Sequence, residues 1–381
     1  MEADLSALPL FLATSEDVVL AGQLPSKRFL DSLHKLDTAI PDFIEIQKAL
    51  SADTSPLQNI KALKPWGWSP AAHKLLSPLK PKCSATFQNS PVFNWTSKSR
   101  NLYSKKFALG ILRQMIREYP DSIFIPEGLA GKVCCEQHEI ETLISEWGNL
   151  MVKAPWSSSG RGLQPITKTP VHPKVWEKIL GIIKDQGYVI VEPFLGKQLD
   201  IAFQFELIDG KIDYLGISNF MTDGKGQYIG NRLNGLPDDM NSEIKTFAER
   251  LPDKIIDPLI QTLEKSELAS GYEGNFGVDA LIFRMADKQL AVNPCLEINL
   301  RQNMGLLSLK LEKLLVPSTK ALFRTWYGGA ESFHAFQTTM EKQHPPLLKN
   351  GKIQSGFISL TDAMQDSRFG AYILAGSSYS F

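Results

Sequence analysis

Gly277-Val278-Asp279-Ala280-Leu281-Ile282-Phe283 is followed, after a short polar break, by Asn293-Pro294-Cys295-Leu296-Glu297-Ile298-Asn299-Leu300-Arg301. Both stretches read as strands, and residues two apart in a strand share a face. Glu297, Asn299 and Arg301 therefore point one way, while Ile298 and Leu300 point the other, into a core. If the two strands pair antiparallel, Asp279 comes beside Glu297. Two carboxylates and an amide oxygen make a hard oxygen site, suited to magnesium held between phosphates. A solvated strand face is the competing reading of this piece alone.

Two further pieces lie N-terminal to this pair. Met151-Val152-Lys153-Ala154-Pro155-Trp156 brings a lysine to the end of a strand, and Ser157-Ser158-Ser159-Gly160-Arg161-Gly162 turns the chain with small residues. Backbone N–H groups of such a turn can approach phosphate oxygens closely, and Arg161 adds a guanidinium fork. It is not a Walker A loop, because no Gly-Lys-Ser/Thr follows the glycines. An ordinary hairpin turn fits it equally well. In Val189-Ile190-Val191-Glu192-Pro193-Phe194-Leu195-Gly196 an apolar strand closes on Glu-Pro. Pro193 lacks an N–H, which predicts a strand end at a sheet edge with backbone groups left for a ligand such as a purine. A plain core strand is the alternative.

Periodicity and breakers predict the remaining elements. Strands are expected at 10–13, 123–125, 150–154, 188–192, 200–207, 211–220, 276–283 and 290–300, with Asp209-Gly210 as a hairpin turn. Helices are expected at 27–36, from Pro70 with Ser69 as cap, and at 101–118, 136–147, 173–185, 241–266 and 306–315. Runs of antiparallel strands mixed with helices give an α+β / α/β class. The organisation expected is an N-terminal α/β lobe over 1–100, two α+β subdomains within 101–330, and a covering segment over 331–381.

In this order (lysine strand, Gly-rich loop, Glu-Pro strand, Gly-Val-Asp strand, then Glu-Ile-Asn-Leu-Arg) the pieces resemble the ATP-grasp family over roughly residues 100–317. The last two are the most specific. The resemblance implies that ATP is bound with Mg2+, Mn2+ being the alternative metal. Lys105 and Lys153 would contact phosphates, with Lys106 as the first lysine if the register is off by one. Ser157, Ser158, Ser159, Gly160 and Gly162 would close over them. Glu192 and the backbone of Pro193, Phe194 and Leu195 would hold the adenine, and Asp279, Glu297 and Asn299 the metal. Arg301, with Lys153, would act on the transferred phosphoryl group. The family's ribose-gripping glutamate is missing; Gln198 stands nearest its place and Asp200 is the substitute. Arg232, in the glycine-bearing stretch 219–232, and Arg161 are the candidates for the second substrate. The implied activity joins a carboxylate, activated as an acyl phosphate, to an amine. A kinase-like phosphotransferase and a non-catalytic nucleotide-binding protein are the alternatives.

Lys plus Arg and Asp plus Glu both number 41, so no global field draws the chain to nucleic acid or an anionic membrane. Partners are therefore expected to be ATP, a small carboxylate and an amine-type acceptor, and a homodimer is compatible with the sequence. The four cysteines lack metal or C-x-x-C spacing, and the chain opens on the acidic Met1-Glu2-Ala3-Asp4. Both features predict reduced thiols and a cytoplasmic protein.

Overall fold

Prolines and short polar breaks keep the first hundred residues from building a large sheet. In the computed structural model, which describes residues 3–51, 56–157, 160, 162–224 and 226–376, β1 (Val18–Ala21) and β2 (Asp42–Glu45) form a two-stranded parallel pair. Short helices surround it at Lys27–Leu33, Ile46–Leu50 and Pro70–Leu76. Ser69 caps the last of these, its hydroxyl accepting from the Ala72 N–H at 3.1 Å, with Pro70 in the first helical turn. The strand expected at 10–13 is instead a 3-10 helix, Leu8–Leu12. Pro9 fixes its first turn and has no N–H for a ladder. Leu8, Leu10 and Phe11 all enter one core with Leu311 and Phe323, which strand alternation would not allow.

The helix expected at 101–118 is two helices, Ser97–Leu102 and α1 (Lys105–Glu118). Ser104 breaks them apart by capping α1, accepting from the Phe107 N–H at 3.2 Å. The strand expected at 123–125 reduces to one bridge, Phe124 to Val292. After it come β3 (Lys132–Cys134), α2 (Gln137–Trp147), β4 (Leu150–Lys153), β5 (Leu163–Ile166), α3 (Pro173–Gln186) and β6 (Val189–Pro193). They make a four-stranded sheet in the order β3-β6-β4-β5, packed through Val152 and Val191 on Ile140, Leu143 and Ile179. β3 has no forecast above, since three residues are too few to show a period. β6 is an inner strand, contrary to the edge expected from Pro193. The two facts are compatible because β3 pairs only as far as Val191, and Pro193 lies past its end, opposite Leu150.

The third unit is a nine-stranded sheet. It contains β7 (Gly196–Ile208), β8 (Lys211–Thr222), β9 (Tyr228–Leu233), β10 (Gly274–Arg284), β11 (Leu290–Asn299), β12 (Ala321–Tyr327), β13 (Leu347–Lys349), β14 (Lys352–Ser359) and β15 (Phe369–Ala375). Their order is β11-β10-β7-β8-β9-β12-β15-β14-β13. Asp209 and Gly210 turn β7 into β8 with φ of 51° and 76°, the pair of positive values that a tight hairpin requires. Phe203, Phe205, Phe276 and Ile282 pack as one core with Ile255 and Leu259 of α4 (Ser242–Glu264) and with Ile111 and Met115 of α1. α5 (Met304–Glu312) lies against β8 and β9, and α6 (Phe333–Gln343) against β14. The stretch 219–232 is a hairpin between β8 and β9. The C-terminal tail supplies β13, β14 and β15 to this sheet. Among the described residues no helix is long and apolar enough to cross a membrane.

Candidate active site

β10 and β11 pair antiparallel, with Asp279 directly opposite Glu297, Val278 opposite Ile298 and Gly277 opposite Asn299. Val278 and Ile298 enter the core behind, so the polar set faces forward as alternation predicts. Burial, and then Glu297 beside it, push the Asp279 carboxyl up to about 7; Arg301 and the Asn299 amide pull the other way. Glu297 accepts from Lys105 Nζ at 2.8 Å. The same ammonium donates to the Ser157 carbonyl at 2.9 Å, and the Lys105 N–H donates to the Pro155 carbonyl at 3.0 Å. The first residue of α1 thus ties the metal-type face to the base of the glycine loop. Lys106, the register alternative, is exposed on the other side of α1, with Nζ 5.5 Å from the centre of the Tyr188 ring.

The small sheet holds a second pair. Lys153 Nζ lies 2.6 Å from Glu192 Oε2, both largely buried, on neighbouring strands β4 and β6. Beyond them the chain leaves β6 through Pro193, Phe194 and Leu195. Phe194 is exposed, and its N–H is held by the Asn149 carbonyl at 2.9 Å. In the loop, the Gly162 carbonyl accepts from the Ala154 N–H at 2.9 Å. Gly160 sits against the β8–β9 turn so closely that an added Cβ would come 2.9 Å from the Gly226 oxygen. Ser158, Ser159 and Arg161 lie outside the described residues.

At the start of β7, Gln198 turns its amide onto the Gly196 and Lys197 carbonyls, at 3.0 and 3.1 Å. Asp200 accepts from Lys197 at 2.7 Å and from the Thr222 hydroxyl at 3.0 Å. Lys197 and Thr222 are absent from the sequence reading, though both stand within the stretches it singled out. A second omission is the brace behind Gly277. Gln204 donates to Ser218 at 3.1 Å, and Asn303 caps α5 by accepting from the Leu306 N–H at 3.0 Å. A Gln buried among strand residues was the available signal. Arg301 meets the N-terminal lobe: a Cβ on Gly67 would stand 3.1 Å from Arg301 Cβ. Arg232 is half-buried on β9, away from these pairs by register, opposite Asn219 and Leu322. A surface concavity of about 570 Å3 beside Arg117, Asp121 and Glu127 touches none of these residues. Its charges are already paired, Arg117 with Glu127 and Asp121 with Lys254, which leaves it little chemistry to offer.

No family model and no curated protein sequence matches the chain. Solved structures match it in shape. N5-carboxyaminoimidazole synthetase from Staphylococcus aureus, complexed with ADP, is 13% identical at a TM-score of 0.51, covering 99% of this chain and 91% of that one. The biotin carboxylase domain of Hydrogenobacter thermophilus 2-oxoglutarate carboxylase, with MgADP, ADP and bicarbonate, is 11% identical at 0.53, covering 98% and 84%. Biotin carboxylase from Campylobacter jejuni is 14% identical at 0.51, covering 83% and 71%. The chain has the ATP-grasp fold.

The small sheet carries the Lys153–Glu192 pair, and Glu297 of the large sheet is joined by Lys105 of α1 to the base of the loop after β4. The donors suit a hard divalent cation: a half-buried Asp279 has no basic group within ion-pair distance among the described residues, beside a second carboxylate and an amide. No cluster of three His, Cys, Asp or Glu occurs among the described residues. Two carboxylates completed by phosphate oxygens is the arrangement magnesium commonly takes with nucleotides.

Proposed function

We propose that this chain is an ATP- and magnesium-dependent ligase that activates a carboxylate as an acyl phosphate and joins it to an amine. The observation that carries this reading is Asp279 in register with Glu297, a crowded carboxylate pair for which Lys105 is the one ion-pair partner among the described residues. A desolvated, under-neutralised carboxylate pair is costly to fold around unless a cation uses it. The ligands bound in the similar structures, ADP, MgADP and bicarbonate, support a nucleotide and a small acid here.

Asp279, Glu297 and Asn299 would hold the metal, which when bound neutralises phosphate oxygens and polarises the transferred group. Lys105 and Lys153 exchange their glutamates for phosphate oxygens, the glutamates serving to hold both ammonium groups in position. The backbone of Pro193, Phe194 and Leu195 receives the purine edge, and exposed Phe194 offers a ring wall. Gln198 and Asp200 face the ribose end. Arg301 steadies the phosphoryl group as it passes to the acid, and the loop from Ser157 to Gly162 closes to exclude the water that would hydrolyse an acyl phosphate. The amine then displaces phosphate, so that ATP, acid and amine become amide, ADP and phosphate. Manganese in place of magnesium, and a cytoplasmic setting, belong to the same proposal.

The test is release of ADP and phosphate from ATP and magnesium with a panel of small acids, with and without amines. Amine-dependent release supports ligation. A stable phosphorylated acid would replace it with phosphotransfer, and no ADP with any acid would remove it.

A further inference from the structure

Arg232 of β9 and Arg324 of β12 form a second charged feature, apart from the metal-type pair. Arg232 lies opposite Leu322 and Arg324 opposite Gly230, so the two guanidinium groups occupy the same face of neighbouring strands, one step apart. Arg324 lies across Gly230, where an added Cβ would come 2.9 Å from its Cγ. Tyr372 stands opposite Arg324 on β15, and Asn219 opposite Arg232 on β8. Both arginines are partly buried, and the Nε of each is buried without a hydrogen-bond partner.

Among the described residues no carboxylate comes within ion-pair distance of either arginine. The acids that reach Arg232 electrostatically are Asp239 and Asp200, and Asp200 is already bound by Lys197. Burial, and the neighbouring Arg324, disfavour the charge on Arg232. Like charges held together in a desolvated place cost stability, and Asp239 and Asp200 offset that cost only at a distance, without an ion-pair contact. An anion offers that contact, because a guanidinium presents paired donors to oxyanions.

We propose that Arg232 and Arg324, with Tyr372 and Asn219 beside them, form a seat for a dianionic oxyanion of the phosphate type. A single carboxylate would leave one positive charge unbalanced. The dianion could arrive as a phosphomonoester group or as free inorganic phosphate, and the seat has the same chemistry for both. This does not depend on the ATP reading, since neither arginine belongs to the metal or nucleotide set.

The experiment follows thermal stability of the full chain against inorganic phosphate, phenyl phosphate and acetate at constant ionic strength, for wild type, Arg324→Gln and Arg232→Gln. The series is repeated with magnesium and a non-hydrolysable ATP analogue, to engage Lys105 and Lys153. Phosphate or phenyl phosphate stabilises the wild type, acetate does not, and either glutamine variant binds about tenfold more weakly or worse. A preference for phenyl phosphate identifies a phosphomonoester, and a preference for inorganic phosphate identifies the free ion. The glutamine variants, freed of like-charge repulsion, melt at or above the wild-type temperature without ligand. Should one fail to fold, Arg324→Lys, which keeps the charge and loses the fork, takes its place with a smaller loss expected. Equal response to acetate, unchanged binding in the variants, or no response to any phosphate overturns the proposal.

Discussion

In the small sheet Lys153 and Glu192 stand 2.6 Å apart with side-chain exposures of 9% and 15%, and each balances the other. At the large sheet Glu297 stands 2.8 Å from Lys105 of α1, but Asp279 lies directly opposite Glu297 and leaves a surplus negative charge. The first pair is complete as it is, and a nucleotide would have to compete with Glu192 for its lysine. The second is complete only with another cation. The same two residue types thus have different chemistry because of one strand register. That difference is the reason for proposing the metal site at the large sheet, and it can be attacked directly.

The strongest attack is Glu297→Ala. It removes a carboxylate from the side with the surplus, so magnesium-dependent ATP turnover falls by about a thousandfold or more, roughly 4 kcal/mol of transition-state stabilisation. The protein is expected to stay folded, since the Ser157 carbonyl still holds Lys105. Wild-type turnover in this variant, by phosphate release, would end the metal assignment.

Asp279 tests the surplus without any nucleotide. Its carboxyl titrates near pH 7 in the folded chain and near 3.8 when unfolded, burial being the main cause and Glu297 the next. Between those values the folded state holds the extra proton, so this residue's contribution makes stability fall from about pH 4 to pH 7 and level off above. Asp279→Asn removes the slope. Urea unfolding should show the variant more stable by up to about 4 kcal/mol at pH 8 and level with wild type at pH 4. A variant equally destabilised at both values would mean that the carboxylate is already neutralised.

Glu192→Gln addresses the balanced pair, where the loss should be modest. The amide keeps a hydrogen bond to Lys153 but not the charge, and the apparent KM for ATP moves by about tenfold with kcat changed less. A loss as large as that of Glu297→Ala would erase the contrast between the two sheets.

Much of this contrast was legible in the sequence. Alternation along 277–283 and 293–301 has only one face available for Glu297 and Asn299, and the antiparallel register then decides Asp279. Ser104 marks the start of α1, and so which lysine occupies its first position. The partners were not legible. Lys105 and Glu297 are 192 residues apart, and nothing local to either names the other. Arg324 stands in a stretch for which no element was forecast, and only the pairing of β9 with β12 brings it beside Arg232. β3 was missed because three residues carry no period, and 8–12 was misjudged because an apolar run beside a proline fits a tight helix as well as a strand.

The smallest expected effect comes from the N-terminal lobe, which touches one side of the comparison and not the other. Gly67, between Trp66 and Trp68, packs on Arg301, and a methyl there would stand 3.1 Å from Arg301 Cβ. That is tight but not prohibitive, since the neighbour is a side-chain carbon at the end of β11 and can yield by a few tenths of an ångström. In Gly67→Ala the guanidinium shifts slightly from the phosphoryl group it steadies, and misplacement of that size costs rate more than binding. The expected outcome is a kcat lowered about threefold, under 1 kcal/mol, with KM for ATP and thermal stability nearly unchanged. A change in KM for ATP alone would place the aromatic turn on the nucleotide side, beside Lys153 and Glu192, and shift the reacting centre away from the surplus carboxylate.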